Sequence, residues 1–188
     1  MGKEVLIKAV AQSVPTYTMG VFQLPVKLCN ELNAMCARFW WGQVGNERKI
    51  QWRNWDLLSK PKKEGGMGFR DSRSFNLVML AKQGWRLMQE TNLLLYGCFK
   101  AKYFPRCNFL EAGETPNSSY VWRSIMAAQE ILRRGSCWRV GDGSAIPVTR
   151  DKWIPNHPTN MVIHPPQDNE WEWRVVELID WTTRTWDR

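Results

Sequence analysis

The sequence predicts a mainly α-helical protein: a helical bundle followed by further helices and a small β-hairpin. Three observations lead there. Apolar residues recur at three- and four-residue spacing in several separate stretches. Proline stands at the ends of those stretches rather than within them. Only one stretch, Cys137 to Val148, alternates apolar and polar residues with the period of a strand. With 188 residues, 44% of them hydrophobic, the chain is long and apolar enough to bury a core.

Val5, Leu6, Ala9 and Val10 share one helical stripe, and Pro15 ends the segment, so a first helix is expected to stop near Ser13. Pro25 suits the first turn of a second helix, whose stripe is Leu28, Leu32, Met35, Cys36 and Phe39, with Gly42 as its stop. "KPKKEGGMGFRD" breaks the pattern, because glycines supply turn geometry and the charges hold the segment in water. From Ser72 a third helix puts Leu77, Leu80, Ala81, Gly84 and Met88 on one face and Lys82 and Arg86 on the other. Another is expected over Leu93 to Tyr103, ahead of Pro105. A further stripe of Val121, Ile125, Ala128 and Leu132 ends in Arg133, Arg134 and Gly135, where basic side chains suit the helix dipole. In "CWRVGDGSAIPV" Trp138 and Val140, then Ile146 and Val148, flank a Gly141 to Ser144 turn, which predicts the hairpin. Residues 154–170 read as a proline-rich linker, and "VVELIDWTTRTWDR" as the start of a helix.

Charge is distributed unevenly. The chain carries +8 at neutral pH; residues 1–100 hold fifteen basic and seven acidic side chains, whereas residues 101–188 hold eleven of each. Polyanionic partners therefore belong with the first half. Five cysteines, an odd number with no CxxC pair, predict a reducing compartment, nucleus or cytoplasm. Met1 to Ser13 lacks the long apolar run of a signal peptide or membrane span, so neither secretion nor membrane association is expected.

Enzyme chemistry finds little support. The carboxylates are scattered, with Asp142 in a turn and Asp151 beside Lys152, whereas a two-metal polymerase or nuclease needs them clustered. His157 and His164 are the two histidines and have no cysteine nearby, so no metal or cofactor is expected. Gly65 to Gly68 lacks the Lys-Ser/Thr of a P-loop. The informative stretch is Arg38 to Phe69. Trp40, Trp41, Trp52 and Trp55 are suited either to stacking on bases or to filling a core. Arg48, Lys49, Arg53, Lys60, Lys62 and Lys63 are suited to phosphates or to a solvated face. Clustered positive charge has no packing role, so Lys49, Lys60, Lys62, Lys63, Lys82 and Arg86 are the candidate nucleic-acid contacts.

The order of several motifs carries a resemblance. "GKEVLIKAVAQSVPTYTMGVFQLP", "ARFWWGQ", "KIQWRNWDLLSKPKKEGGMGFRDSRSFNLVMLAKQGWRLM", "FKAKYFPRCNFLEA", "SYVWRSI", "GSCWRVGDGS" and "RDKWIP" resemble, in sequence and order, the C-terminal part of plant non-LTR (LINE-type) retrotransposon reverse transcriptases. The resemblance implies a thumb and connecting region, following the polymerase palm and preceding a zinc-binding module. The family's Tyr/Phe-Ala-Asp-Asp motif does not occur here, so the resemblance implies a fragment of an RNA-directed DNA polymerase that is not itself an enzyme. On this reading residues 1–104 are a basic thumb-like region, 105–153 a connecting helix and hairpin, and 154–188 a linker and the start of a truncated module. The implied partners are the template–primer backbone and the rest of the polyprotein. The alternative is a structural or protein-interaction module from a degenerate retroelement copy, with its basic face serving solubility alone.

Overall fold

The computed structural model describes residues 2–43, 49–113, 115–162, 173–183 and 185–186. It is mainly helical and divides into two compact units, Met1–Arg133 and Arg134–Arg188. The sequence-based boundary at 104/105 falls inside the first unit, because Phe109, Ala112, Trp122 and Ile125 share one core with Leu80 and Leu87.

The first unit opens with α1 (Gly2–Leu6), a π-helical turn (Ile7–Ala11) and α2 (Thr16–Met19). The last of these, following Pro15, was not foreseen. α3 (Val26–Trp40) starts at Pro25 and ends in a Schellman motif, in which Gly42 N–H donates to Phe39 O at 3.1 Å and Gln43 N–H to Arg38 O at 3.0 Å. Gly42 has φ +69°, as that motif requires. The apolar stripes of these helices turn inward only in part: of the α3 stripe, Leu32 and Cys36 are half-buried and Cys36 packs against Leu58 and Phe69. Ile7, Cys29 and Ala37 are buried, while Val5, Leu6, Val10, Leu28, Met35 and Phe39 are exposed. Ile7 meets Leu58 and Phe69, and α3 adds Cys36, Trp40 and Trp41 to the same cluster.

α4 (Trp55–Ser59) is capped by Asn54, whose side chain accepts from Leu57 N–H at 3.0 Å. The glycine loop then folds back on α4: Met67 N–H donates to Leu58 O at 2.9 Å and Gly68 N–H to Lys60 O at 2.9 Å. A Cβ at Gly66 would collide with the Lys60 carbonyl, so the loop requires glycine there.

α5 (Ser72–Gln89) is capped by Asp71 and buries Asn76, Leu80, Ala81, Gly84 and Leu87, close to the expected face. α6 (Leu94–Tyr103) follows as expected. The last expected helix is two, α7 (Tyr120–Met126) and α8 (Gln129–Gly135), separated by a turn that still keeps Ile125, Ala128 and Leu132 in the core. Trp122 lies at the centre of this core, stacked on Tyr103 at 4.6 Å and Phe104 at 5.6 Å, with Phe99 and Phe109 edge-on.

In the second unit the small hairpin exists but lies elsewhere. Trp138 N–H donates to Lys152 O, and Ile146 and Val148 bond with Val175 and Trp173, so the two arms of the expected hairpin pair with other segments instead of each other. Asp142 accepts from Ser144 N–H and Oγ, so the expected turn is present without its ladder. Ile146, Val148, Trp153 and Val175 form the unit's core. The observed antiparallel pair is β1 (Ile179–Asp180) with β2 (Thr185–Trp186). It occupies the segment expected to begin a helix. Asp180 diverts the chain by accepting from Thr182 and Thr183, and hydrogen bonds of this kind compete with helix formation. Those hydroxyls hold the Asp180 carboxyl near pKa 2. No described helix is long and apolar enough to cross a membrane.

Candidate nucleic-acid interface

The tryptophans of the Arg38 to Phe69 stretch divide three to one. Trp40 packs edge-on to Phe69 at 5.2 Å, Trp55 stacks on it at 5.2 Å and 5°, and Trp41 joins the same cluster around Ile7, Leu58 and Phe69. They are core. Trp52 is 77% exposed and is the one of the four that presents its ring to solvent.

The basic residues lie over this small core. Lys60, Lys62 and Lys63 come together on and beside a 3-10 turn (Lys62–Glu64) of the glycine loop, which Arg53 braces by donating to Gly65 O at 2.7 Å. Lys8 reaches the same loop, donating to Met67 O at 2.7 Å. Glu4 pairs with Lys8 at 2.9 Å and with Lys62 at 3.0 Å, which lowers its carboxyl to a pKa of about 2. Lys62 is therefore partly engaged, whereas Lys60 and Lys63 make no ion pair among the described residues. Lys49 follows α3 and its carbonyl accepts from Gln43 Nε2 at 3.1 Å. Lys82 and Arg86 are not part of the loop cluster. They sit ten and fourteen residues into α5, about 15 and 21 Å along its axis at 1.5 Å per residue. Lys82 is exposed, and Arg86 pairs with Glu90 at 3.6 Å. Arg48 lies outside the described residues, as does His164; His157 accepts from Thr159 within a turn.

Because Glu4 is depressed from 4.5 to about 2 by its bonds to Lys8 and Lys62, it contributes stability above pH 4.5 that is lost as pH falls toward 2. Glu4→Gln is expected to flatten the acid limb of the stability curve across that window while leaving the neutral-pH slope unchanged, as read by thermal melts at stepped pH.

Sequence reasoning missed a groove beside this surface. Its volume is about 760 Å³, and it is lined by α3 residues Asn30, Glu31 and Arg38 together with Lys49, Gln51 and Asp56. These come from two segments of no characteristic spacing, so the chain carries no local signal for it.

A mainly helical fold with a basic loop over a tryptophan cluster does not define a family by itself, and comparison with known proteins does. Over 143 residues, 76% of this chain and 93% of the relative, it is 39% identical to Uncharacterized mitochondrial protein AtMg00310 of Arabidopsis thaliana. The chain belongs to the same family as that protein. It is also 32% identical over 167 residues to Putative ribonuclease H protein At1g65750 of the same plant, covering 84% of this chain but only 26% of that protein. No family model matches the chain, and no solved structure matches it.

Proposed function

We propose that this chain is a retroelement-derived segment of a non-LTR reverse transcriptase that grips nucleic acid by its sugar-phosphate backbone without reading sequence. The observation that carries this reading is the set of exposed cations, Lys49, Lys60, Lys63 and Lys82, that have no acidic partner among the described residues. A solvated face designed for solubility alone would interleave its charges, whereas this half of the chain is net positive. Similarity to a quarter of a protein named for ribonuclease H supports a parent polyprotein that handles nucleic acid. Thumb-like gripping needs basic helices and loops rather than base-reading side chains. The polymerase carboxylates belong to a different segment of such a parent, so the isolated chain acts as a binder and not as an enzyme.

The test is fluorescence-anisotropy binding of the purified chain to an RNA–DNA hybrid, duplex DNA and single strands over a salt series. Affinity is expected to fall steeply as salt rises, with little preference for sequence. Salt-insensitive binding, or none at low salt, overturns the reading.

A second reading is favoured by the outward stripes Val5, Leu6, Val10 and Leu28, Met35, Phe39. Exposed apolar rows of this kind suit contact with another protein segment. Under that reading, changing Val5, Leu6 and Val10 to Ser abolishes association seen by light scattering, and nucleic acid has no effect on it.

A further inference from the structure

The groove between α3 and residues 49–56 has a chemical composition that a backbone grip does not require. Two cations, Arg38 and Lys49, and two carboxylates, Glu31 and Asp56, line the same space. None of the four forms an ion pair among the described residues, and neither Asn30 nor Gln51 makes a side-chain hydrogen bond there. A site for phosphate alone would exclude the carboxylates, since like charge repels an anionic ligand. A site for a cation would exclude Arg38 and Lys49 for the same reason. An occupant that satisfies both kinds of charge carries an anionic group together with hydrogen-bond donors.

A nucleotide with an amino-bearing base fits that description. Its phosphate suits Arg38 and Lys49, and the exocyclic amino group suits a carboxylate, as Asp and Glu accept from cytosine N4. Amides such as Asn30 and Gln51 offer both a donor and an acceptor to the rest of a base edge. The volume of about 760 Å³ lies within the roughly 300–1,000 Å³ of sites for small organic ligands. Trp55 lines the groove while its ring is stacked on Phe69, so one wall is rigid. In an A-form duplex the deep, narrow major groove keeps side chains from that amino group, whereas a single strand presents it openly.

We propose that this groove binds a single-stranded nucleotide, its base amino group directed to Glu31 and Asp56 and its phosphate to Arg38 and Lys49. The proposal rests on the nucleic-acid reading above and adds to it a base preference and a strand state.

The test compares a hexamer of cytidine with a hexamer of uridine, which carry equal charge and differ chiefly in offering an amino donor or a carbonyl acceptor at the same ring position. The cytidine hexamer is expected to bind about tenfold more tightly, the effect of one hydrogen bond to a charged acceptor. Glu31→Gln with Asp56→Asn should bring the two affinities within about twofold of each other by removing that charge. Arg38→Gln should weaken both hexamers alike. All these side chains are exposed, so the variants are expected to keep the wild-type circular dichroism and melting temperature. Equal affinity for the two hexamers, with hybrid binding intact, overturns the groove assignment and leaves the backbone grip standing. Absence of binding to hexamers and hybrid together overturns both.

Discussion

Replacing Trp122 with alanine is expected to destabilise the first unit by about 3–5 kcal/mol, the cost of removing a large aromatic side chain from a closed core. Trp122 is fully buried, and four aromatic rings enclose it: two stacked, from Tyr103 and Phe104, and two edge-on, from Phe99 and Phe109. These neighbours come from α6, the residue after it and the Phe109–Glu111 turn, so the cavity cannot close by moving one element. Trp122→Phe is expected to cost much less. It keeps the stacking, and it removes an indole N–H that is buried without a partner among the described residues. Urea titration of the two variants checks the order; equal losses would mean that a smaller ring at this position does not restore the stacking.

The second large effect is at Asn76, which is buried on α5 and serves the chain between α2 and α3. Its Oδ1 accepts from Leu24 N–H at 2.8 Å, and its Nδ2 donates to Met19 O at 2.8 Å and Phe22 O at 2.9 Å. Asn76→Ala removes three hydrogen bonds at once, an expected loss of about 2–4 kcal/mol at roughly 1 kcal/mol each. Asn76→Asp keeps the shape but sets a carboxylate oxygen against two carbonyl oxygens, so it is expected to be at least as destabilising as alanine. If the aspartate variant were as stable as wild type, the side chain would not be holding that segment.

The helices were largely legible because each is bounded by residues with strong local meaning. Gly42 ended α3 as its position promised, and Pro25 began it. What periodicity did not convey was which face turns inward. The rows Val5, Leu6, Val10 and Leu28, Met35, Phe39 are regular yet exposed, while Ile7 and, from α3, Cys36, Trp40 and Trp41 meet Leu58 and Phe69. Asn76 left no trace in the pattern, since its role depends on the carbonyls of Met19 and Phe22, more than fifty residues away. The hairpin was misplaced for a similar reason: the alternation around Ile146 and Val148 is real, but their backbone partners lie at Trp173 and Val175 rather than across the nearby turn.

The candidate interface was legible in part. The cluster of Lys60, Lys62 and Lys63 is contiguous in sequence and remains so in space. The engagement of Lys62 by Glu4 and of Arg86 by Glu90 depends on geometry for the first and on a weak i,i+4 pair for the second. Among the four tryptophans of that stretch, composition could not separate Trp52 from Trp40, Trp41 and Trp55. Only the position of Phe69 does so.

The most direct measurement of the backbone grip is the salt dependence of binding to an RNA–DNA hybrid, for the wild-type chain and for one with Lys49, Lys60, Lys63 and Lys82 all changed to Gln. If these four neutralise phosphates, the slope of log affinity against log salt should become shallower by about 3.6, roughly 0.9 for each lost contact. A slope that is unchanged in a variant with the wild-type melting temperature would contradict the account.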